Sequence, residues 1–303
     1  MSSVTRTPSL STMNLSYLGP EGSFSYDAAV VLLSQFNIAA TLTPSPTAEG
    51  VVRSVVSSQG ERVLGLIPYY NFLEGLVQEH LDLIFEFDLR IIGLVRLPIQ
   101  LSAGTFDTPA ASAVEVFSHP KALAQVSEFI RMNLEHAALM PVNSTSEAVR
   151  IVNERRTGVA IASETALEKF SVPVFARNIG NRRHGKSNFT DFFIVQSSKA
   201  SITVDFGVGN HAMIAITPRI DRPGLLAELL GQFAFYGLDI SKIHSRPAID
   251  SIERAEEPQM FYLEVRCAPD AEPLLRCAQA IQYRFGRAEP SGDLLRIMGG
   301  FRI

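Results

Sequence analysis

Strand and helix signals alternate along the first two thirds of this chain, and that alternation restricts it to an α/β layer architecture. Leu15 to Leu18 is a strand candidate that runs into Gly19-Pro20-Glu21-Gly22, a turn with two glycines. Ser23, Ser25 or Asp27 can cap the helix that follows, whose apolar positions continue through Ala28, Val31 and Leu32. Pro44-Ser45-Pro46-Thr47 breaks the chain, and Ala48 to Val56 recovers helical spacing. Val63 to Ile67 is a near-continuous apolar run, as expected for a parallel strand buried on both faces, and it ends at Pro68 before a polar and aromatic loop.

The middle third repeats this grammar. Ala113 to Phe117 predicts a strand, Ser118-His119-Pro120 a turn, and Lys121 to Met132 a helix. Met140 to Val142 is the next strand, and Ser144 with Glu147 three residues on forms a capping-box pattern for another helix. Strands at Val159 to Ala162 and Val172 to Ala176 precede a basic loop, Asn178 to Lys186, and a strand from Phe189 to Val195. Past a Ser- and Lys-bearing linker, strands at Met213 to Thr217, Asp239 to His244 and Met260 to Cys267 alternate with helices at Leu225 to Tyr236 and Glu272 to Phe285. That order reads as a separate ferredoxin-like βαββαβ domain beginning near residue 205. The expected division is a leader at 1–14, an α/β region at 15–200, the smaller domain at 208–290 and a C-terminal tail at 291–303.

Composition narrows the function. The 303 residues suit two or three domains, and 46% hydrophobic residues with 19% charged ones exclude a largely disordered chain. A formal net charge of −4 without a Lys/Arg block argues against nucleic acid or an anionic membrane as partner. Cys267 and Cys277 have neither a zinc-ligand grouping nor a disulfide framework around them. No apolar run approaches the ~20 residues of a membrane span. The Ser/Thr-rich start lacks a signal-peptide core, so a cytoplasmic protein is expected.

Two helix starts stand out. Gly19 to Ser25 joins a strand to a helix, where backbone N–H groups and serine hydroxyls suit an anion; an ordinary βα turn is the plainer reading. Asn143-Ser144-Thr145 repeats the arrangement, and together the two starts could hold a small dicarboxylate across a cleft. His119 is a candidate general base, although a histidine between a strand and a proline more often fixes a turn. Arg182, Arg183 and Lys186 either steer an anion or form a solvated loop. No spacing resembles a metal site or a nucleotide-phosphate fingerprint, so neither metal nor cofactor is expected.

Several segments in order, Gly19-Pro20-Glu21-Gly22-Ser23-Phe24-Ser25, Gly75 through Leu81-Asp82-Leu83, and Ser118-His119-Pro120-Lys121-Ala122-Leu123, resemble the prephenate dehydratase family. Arg222-Pro223-Gly224-Leu225-Leu226 and Ser245-Arg246-Pro247 resemble the two effector-site motifs of that family's ACT domain. The resemblance implies a two-lobed, periplasmic-binding-protein-like catalytic region (lobe 1 at 15–95 and 180–200, lobe 2 at 96–179). It also implies a C-terminal ACT domain that senses phenylalanine at a subunit interface, hence a homodimer or homotetramer.

Departures from the family pattern are specific. Its Pro-x-Glu-Asn-Ser segment reads Pro68-Tyr69-Tyr70-Asn71-Phe72, keeping Asn71 but replacing Glu by Tyr70 and the active-site Ser by Phe72. Its Asn-x-Thr-Arg-Phe signature reads Asn188-Phe189-Thr190-Asp191-Phe192, keeping Thr190 but replacing Arg by Asp191. His244 replaces the leading Glu of the second effector motif. Prephenate is a dianion, and a carboxylate about 5 Å from a unit negative charge costs roughly 3 kcal/mol at an effective dielectric near 20. Asp191 is therefore expected to point away, to hold a proton, or to pair with a cation such as Arg182 or Arg183.

On this pattern the sequence most resembles the family's prephenate decarboxylases, which remove the ring carboxylate without expelling the hydroxyl. Thr190 and Asn71 are then the expected catalytic pair. Ser23, Ser144 and Thr145 are expected to bind carboxylate, with Phe72 and Asp191 in the substrate wall, and Gly224, Leu225 and His244 are expected at an amino-acid effector site. A divergent prephenate or arogenate dehydratase, and an inactive amino-acid-sensing homologue, are the competing readings.

Overall fold

The computed structural model describes residues 13–57, 62–180, 187–200, 204, 206–207, 209–218, 222–247, 259–285 and 294–303. The expected leader and the cations Arg182, Arg183 and Lys186 lie largely or wholly outside them. The chain divides into two compact units, one of residues up to Leu83 with Val95–Phe193, the other of Ile84–Leu94 with Ile194–Ile303. The division departs from the expected boundary near 205, because Ile84–Leu94 groups with the C-terminal part.

The first unit contains two α/β lobes. Its first lobe is built from β1 (Met13–Leu18), α1 (Phe24–Gln35), β2 (Ala40–Ser45), α2 (Ala48–Ser57), β3 (Val63–Asn71), the two-residue β4 (Gly75–Leu76) and α3 (Gln78–Glu86). Parallel pairing of β1 with β2 and β3 follows from the helical crossovers between them. Leu15, Tyr17, Leu64 and Leu66 are buried between the helices, as the apolar runs require. Two expectations change here. Residues 40–45 form a strand despite Pro44, because β2 lies at the sheet edge, where a missing N–H removes no ladder bond. Similarly, β3 does not end at Pro68. Its pairing with β1 covers only Val63 to Leu66, so Pro68 lies beyond that ladder and the strand continues through Tyr70 and Asn71 to pair with β4.

β5 (Leu89–Pro98) then leads to the second lobe: β6 (Ser102–Thr105), β7 (Glu115–Ser118), α4 (Pro120–Gln125), α5 (Ser127–Asn133), β8 (Ala138–Pro141), α6 (Thr145–Arg155), β9 (Val159–Ala162), α7 (Glu164–Lys169) and β10 (Val174–Ala176). The sheet order is β10-β6-β9-β7-β8. The helix expected over Lys121 to Met132 is two short helices that break at Val126, whose φ of −118° leaves the helical region. β11 (Phe189–Ser197) returns to the first sheet beside β3.

The second unit carries β12 (His211–Ile216), α8 (Leu225–Phe235), β13 (Ile240–Pro247), β14 (Gln259–Val265), α9 (Glu272–Phe285) and β15 (Leu295–Phe301). Its strands are neighbours in the order β13-β14-β12-β15, all antiparallel, which is the ferredoxin-like arrangement. Residues expected as a C-terminal tail thus supply the fourth strand, pairing Leu295 to Phe301 with Ile216 to His211. Ala212, Ile214 and Ile216 alternate inward, where they meet Leu229 and Phe233 of α8 and Leu274, Cys277 and Ile281 of α9.

Candidate active site

Thr190 of β11 and Asn71 of β3 meet although they are 119 residues apart: Asn71 Nδ2 donates to Thr190 Oγ1 at 2.9 Å. The other end of the Asn71 amide is also engaged, since its Oδ1 accepts from Leu73 N at 2.9 Å and Glu74 N at 3.1 Å. These bonds fix the amide orientation, so the N–H end faces the threonine. Thr190 is 8% exposed and, as an acceptor towards Asn71, keeps its own hydroxyl proton for another group.

Two of the departures, Tyr70 and Phe72, lie against one ring, Phe189, and a third, Asp191, connects to it through Arg96. Phe72 stacks on Phe189 with centroids 5.3 Å apart, Tyr70 lies 6.2 Å away, and Phe72 N donates to Phe189 O at 2.9 Å. Asp191 is 0% exposed, and Arg96 of β5 binds both its oxygens, Nε to Oδ1 at 2.7 Å and Nη2 to Oδ2 at 2.9 Å. The same guanidinium sits 4.1 Å from the Phe189 ring centroid. Asp191 thus belongs to an ion pair rather than to a substrate wall, and its cation is Arg96. Sequence reasoning missed Arg96. The signal was present in the alternation of β5, which leaves Arg96 as an outward charge on a strand, but nothing local ties it to a residue 95 positions away.

Both expected helix starts form, and their hydroxyls serve the helices. Ser23 Oγ accepts from Tyr26 N at 3.3 Å and donates to Leu18 O at 3.2 Å. Ser144 Oγ accepts from Glu147 N at 3.0 Å, while Glu147 Oε2 accepts from Asn143 N at 2.9 Å. What remains for an anion is the set of first-turn N–H groups with no partner inside the helix. Thr145 lies in the first turn of α6 and is 9% exposed. Gly22 brings the two starts together: it has φ +84°, and a Cβ built there would lie 3.5 Å from Ser146 Oγ of α6. Nearby, Lys169 and Glu21 pair at 2.6 Å, and Asp27 bonds Ser163, with burial pushing its carboxyl up to about 6.

His119 caps α4 by accepting from Lys121 N at 3.3 Å, and burial with the Lys121 charge holds it below its ordinary range. It therefore follows the turn-fixing reading. Glu74 is held by Lys121 at 2.6 Å and Gln125 at 3.3 Å, and Gln125 Oε1 accepts from Asn188 Nδ2 at 3.3 Å. Gln125, Asn178, Ser187 and Asn188 line a cavity of about 150 Å³. His80, also unread in the sequence, bonds the carbonyl of Pro68 through Nδ1 at 2.5 Å, so that nitrogen carries the proton.

In the second unit, Gly224 and Leu225 line a cavity of about 440 Å³ with Pro218, Arg222, Leu230 and Phe261. Gly224 has φ +84° at the start of α8, a conformation that disfavours a side chain. His244 is half-buried on β13, and its Nε2 has no hydrogen-bond partner among the described residues. Among those residues, no group of three or more His, Cys, Asp or Glu could hold a metal ion, and no helix is long and apolar enough to cross a membrane.

Fold and site together define a two-lobed α/β chain with a threonine–asparagine pair between its strands, joined to a ferredoxin-like unit. The prephenate dehydratase family model matches residues 15–200. A bifunctional chorismate mutase/prephenate dehydratase of Aquifex aeolicus is 32% identical over 236 residues, 78% of this chain and 62% of the relative. A prephenate dehydratase of Lactococcus lactis subsp. cremoris is 29% identical over 96% of this chain and 98% of its own. The crystal structure of an Arthrobacter aurescens prephenate dehydratase in complex with L-Phe shares the fold, with a TM-score of 0.78 at 22% identity over 96% of this chain and 90% of that one. The chain belongs to the prephenate dehydratase family. It spans only about three fifths of the length of the bifunctional relatives, 62% and 61% for the first two.

Proposed function

We propose that the protein is a lyase acting on prephenate, and that the reaction is dehydration with loss of CO2. The observation that carries this reading is the Thr190–Asn71 pair, with the threonine held as acceptor and its proton free to donate. As the ring carboxylate leaves as CO2, its electron pair moves through the diene and expels the ring hydroxyl. Thr190 donates a hydrogen bond to that oxygen as negative charge develops, and the oxygen leaves as water after taking a proton. A lone carboxylate at position 191 would oppose a dianionic substrate. With its two oxygens on Arg96, that charge is compensated rather than opposed to a dianion. The relatives named as prephenate dehydratases support the same reaction.

Decarboxylation without loss of the hydroxyl is the second reading, and Phe72 favours it. A ring where the family has a serine removes a donor from the wall and favours departure of a charged carboxylate as neutral CO2. The electron pair then ends on a ring carbon, which takes a proton, and the product keeps its hydroxyl. Purified protein with prephenate is expected to release phenylpyruvate, one CO2 and one water, read from the product's ultraviolet spectrum and mass. A non-aromatic product that has lost CO2 alone would replace dehydration by decarboxylation, and no turnover would leave the amino-acid-sensing reading.

The cavity beside Gly224 is proposed as an amino-acid effector site of an ACT-type regulatory unit that works in a homo-oligomer. His244 stands outside that cavity's lining, at the motif position where the family has an acidic residue, and the missing carboxylate weakens the response to an ammonium ligand. One millimolar phenylalanine is expected to raise the melting temperature by under about 1 °C, whereas strong stabilisation would overturn this.

A further inference from the structure

Of the departures from the family's motifs in the α/β region, Tyr70 and Phe72 lie against Phe189, and Asp191 is joined to that ring through Arg96. Arg96 connects them. It holds Asp191 through two hydrogen bonds and lies over Phe189 at 4.1 Å, thereby gripping β11 on both sides of Thr190. Strand alternation places Phe189 and Asp191 on one face and Thr190 on the other, so the grip does not obstruct the hydroxyl. Phe189 in turn stacks on Phe72, and its carbonyl accepts from Phe72 N, next in sequence to Asn71.

We infer that Arg96 and Asp191 are positioning residues: they hold Phe189 and the Phe72 segment so that Thr190 and Asn71 keep their mutual register. This rests on the reading of Thr190 as the hydroxyl that meets the substrate. A planar guanidinium is required, because it alone engages a carboxylate with two bonds while lying flat on a ring. Lysine supplies the charge and loses the plane.

The test is a double-mutant cycle between Arg96→Lys and Phe189→Leu, read by kcat and KM on prephenate and by thermal melting. Arg96→Lys is expected to keep Asp191 paired, to lower kcat roughly tenfold through misplacement of Thr190, and to change KM little. Phe189→Leu is expected to lower kcat similarly. The double variant is expected to be no slower than the slower single, since both changes remove the same contact. Where wild type turns over prephenate, wild-type kcat in Arg96→Lys, or losses that multiply in the double variant, would overturn the positioning role alone. Absence of wild-type turnover would overturn the functional reading and the inference built on it. Lower melting temperatures with unchanged kcat would reduce the pair to a structural one and sink the proposal.

Discussion

Replacing Arg96 by methionine is expected to destabilise the first unit by about 3–5 kcal/mol, because it leaves a carboxylate in the interior without its cation. Asp191 is 0% exposed and cannot turn to water, whereas the Arg96 side chain is 43% exposed and can. The two halves of the pair should therefore respond unequally. Asp191→Asn keeps an acceptor for Arg96 and frees a half-exposed guanidinium, at a cost of about 1–2 kcal/mol. Thermal or urea unfolding of the whole chain measures both, and for a unit of this size the methionine variant should melt on the order of 10 °C lower. Equal losses in the two variants would mean that burial does not govern the pair. The asymmetry also bears on restoring the family's arginine. Asp191→Arg would place a second guanidinium against Arg96 in a buried position, so this single change is expected to lose structure rather than raise activity.

Thr190→Val is expected to lower kcat/KM for prephenate by roughly 10²–10⁴, with the fold retained. Valine is close to isosteric, so β11 keeps its packing, and the loss reports the hydroxyl. Stability should fall by only about 1 kcal/mol, the cost of leaving Asn71 Nδ2 without its acceptor. Thr190→Ser, which keeps the hydroxyl, is expected to stay within roughly tenfold of wild type. Steady-state kinetics on the three proteins checks this, and a valine variant at wild-type rate would remove Thr190 from the chemistry.

Local chemistry was the part of the molecule most legible in the sequence. Ser23 and Ser144 cap the helices that their spacing implied, because a cap depends on residues within one helical turn. The helix over 48–57 and the C-terminal βαββαβ order were legible for the same reason, through apolar periodicity. Long-range context decided the rest. Pro44 is compatible with a strand only because β2 is an edge, and Val126 breaks a helix whose apolar spacing runs on without interruption. Residues 295–301 contain two glycines, an arginine and four large apolar residues without strict alternation, too mixed a run to stand out, and become a strand because β12 offers an open side. For the candidate site, motif resemblance singled out Thr190, Asn71, Phe72 and Asp191 for scrutiny. It could not supply Arg96, since a buried charge requires a partner without saying where along the chain that partner lies.

The 119-residue separation of Asn71 and Thr190 also has a kinetic meaning. β3 is made early and has β1 on one side, yet its neighbour on the other side is β11, which is made only after the whole second lobe. Bringing the two together closes a long loop, and such closures come late and slowly because their entropy is lost before any contact is gained. The Asn71–Thr190 hydrogen bond is thus among the last contacts to form as the first unit folds. Recovery of activity on refolding should lag behind recovery of helical signal. A chain released from the ribosome before β11 carries both helix starts and lacks Thr190 altogether.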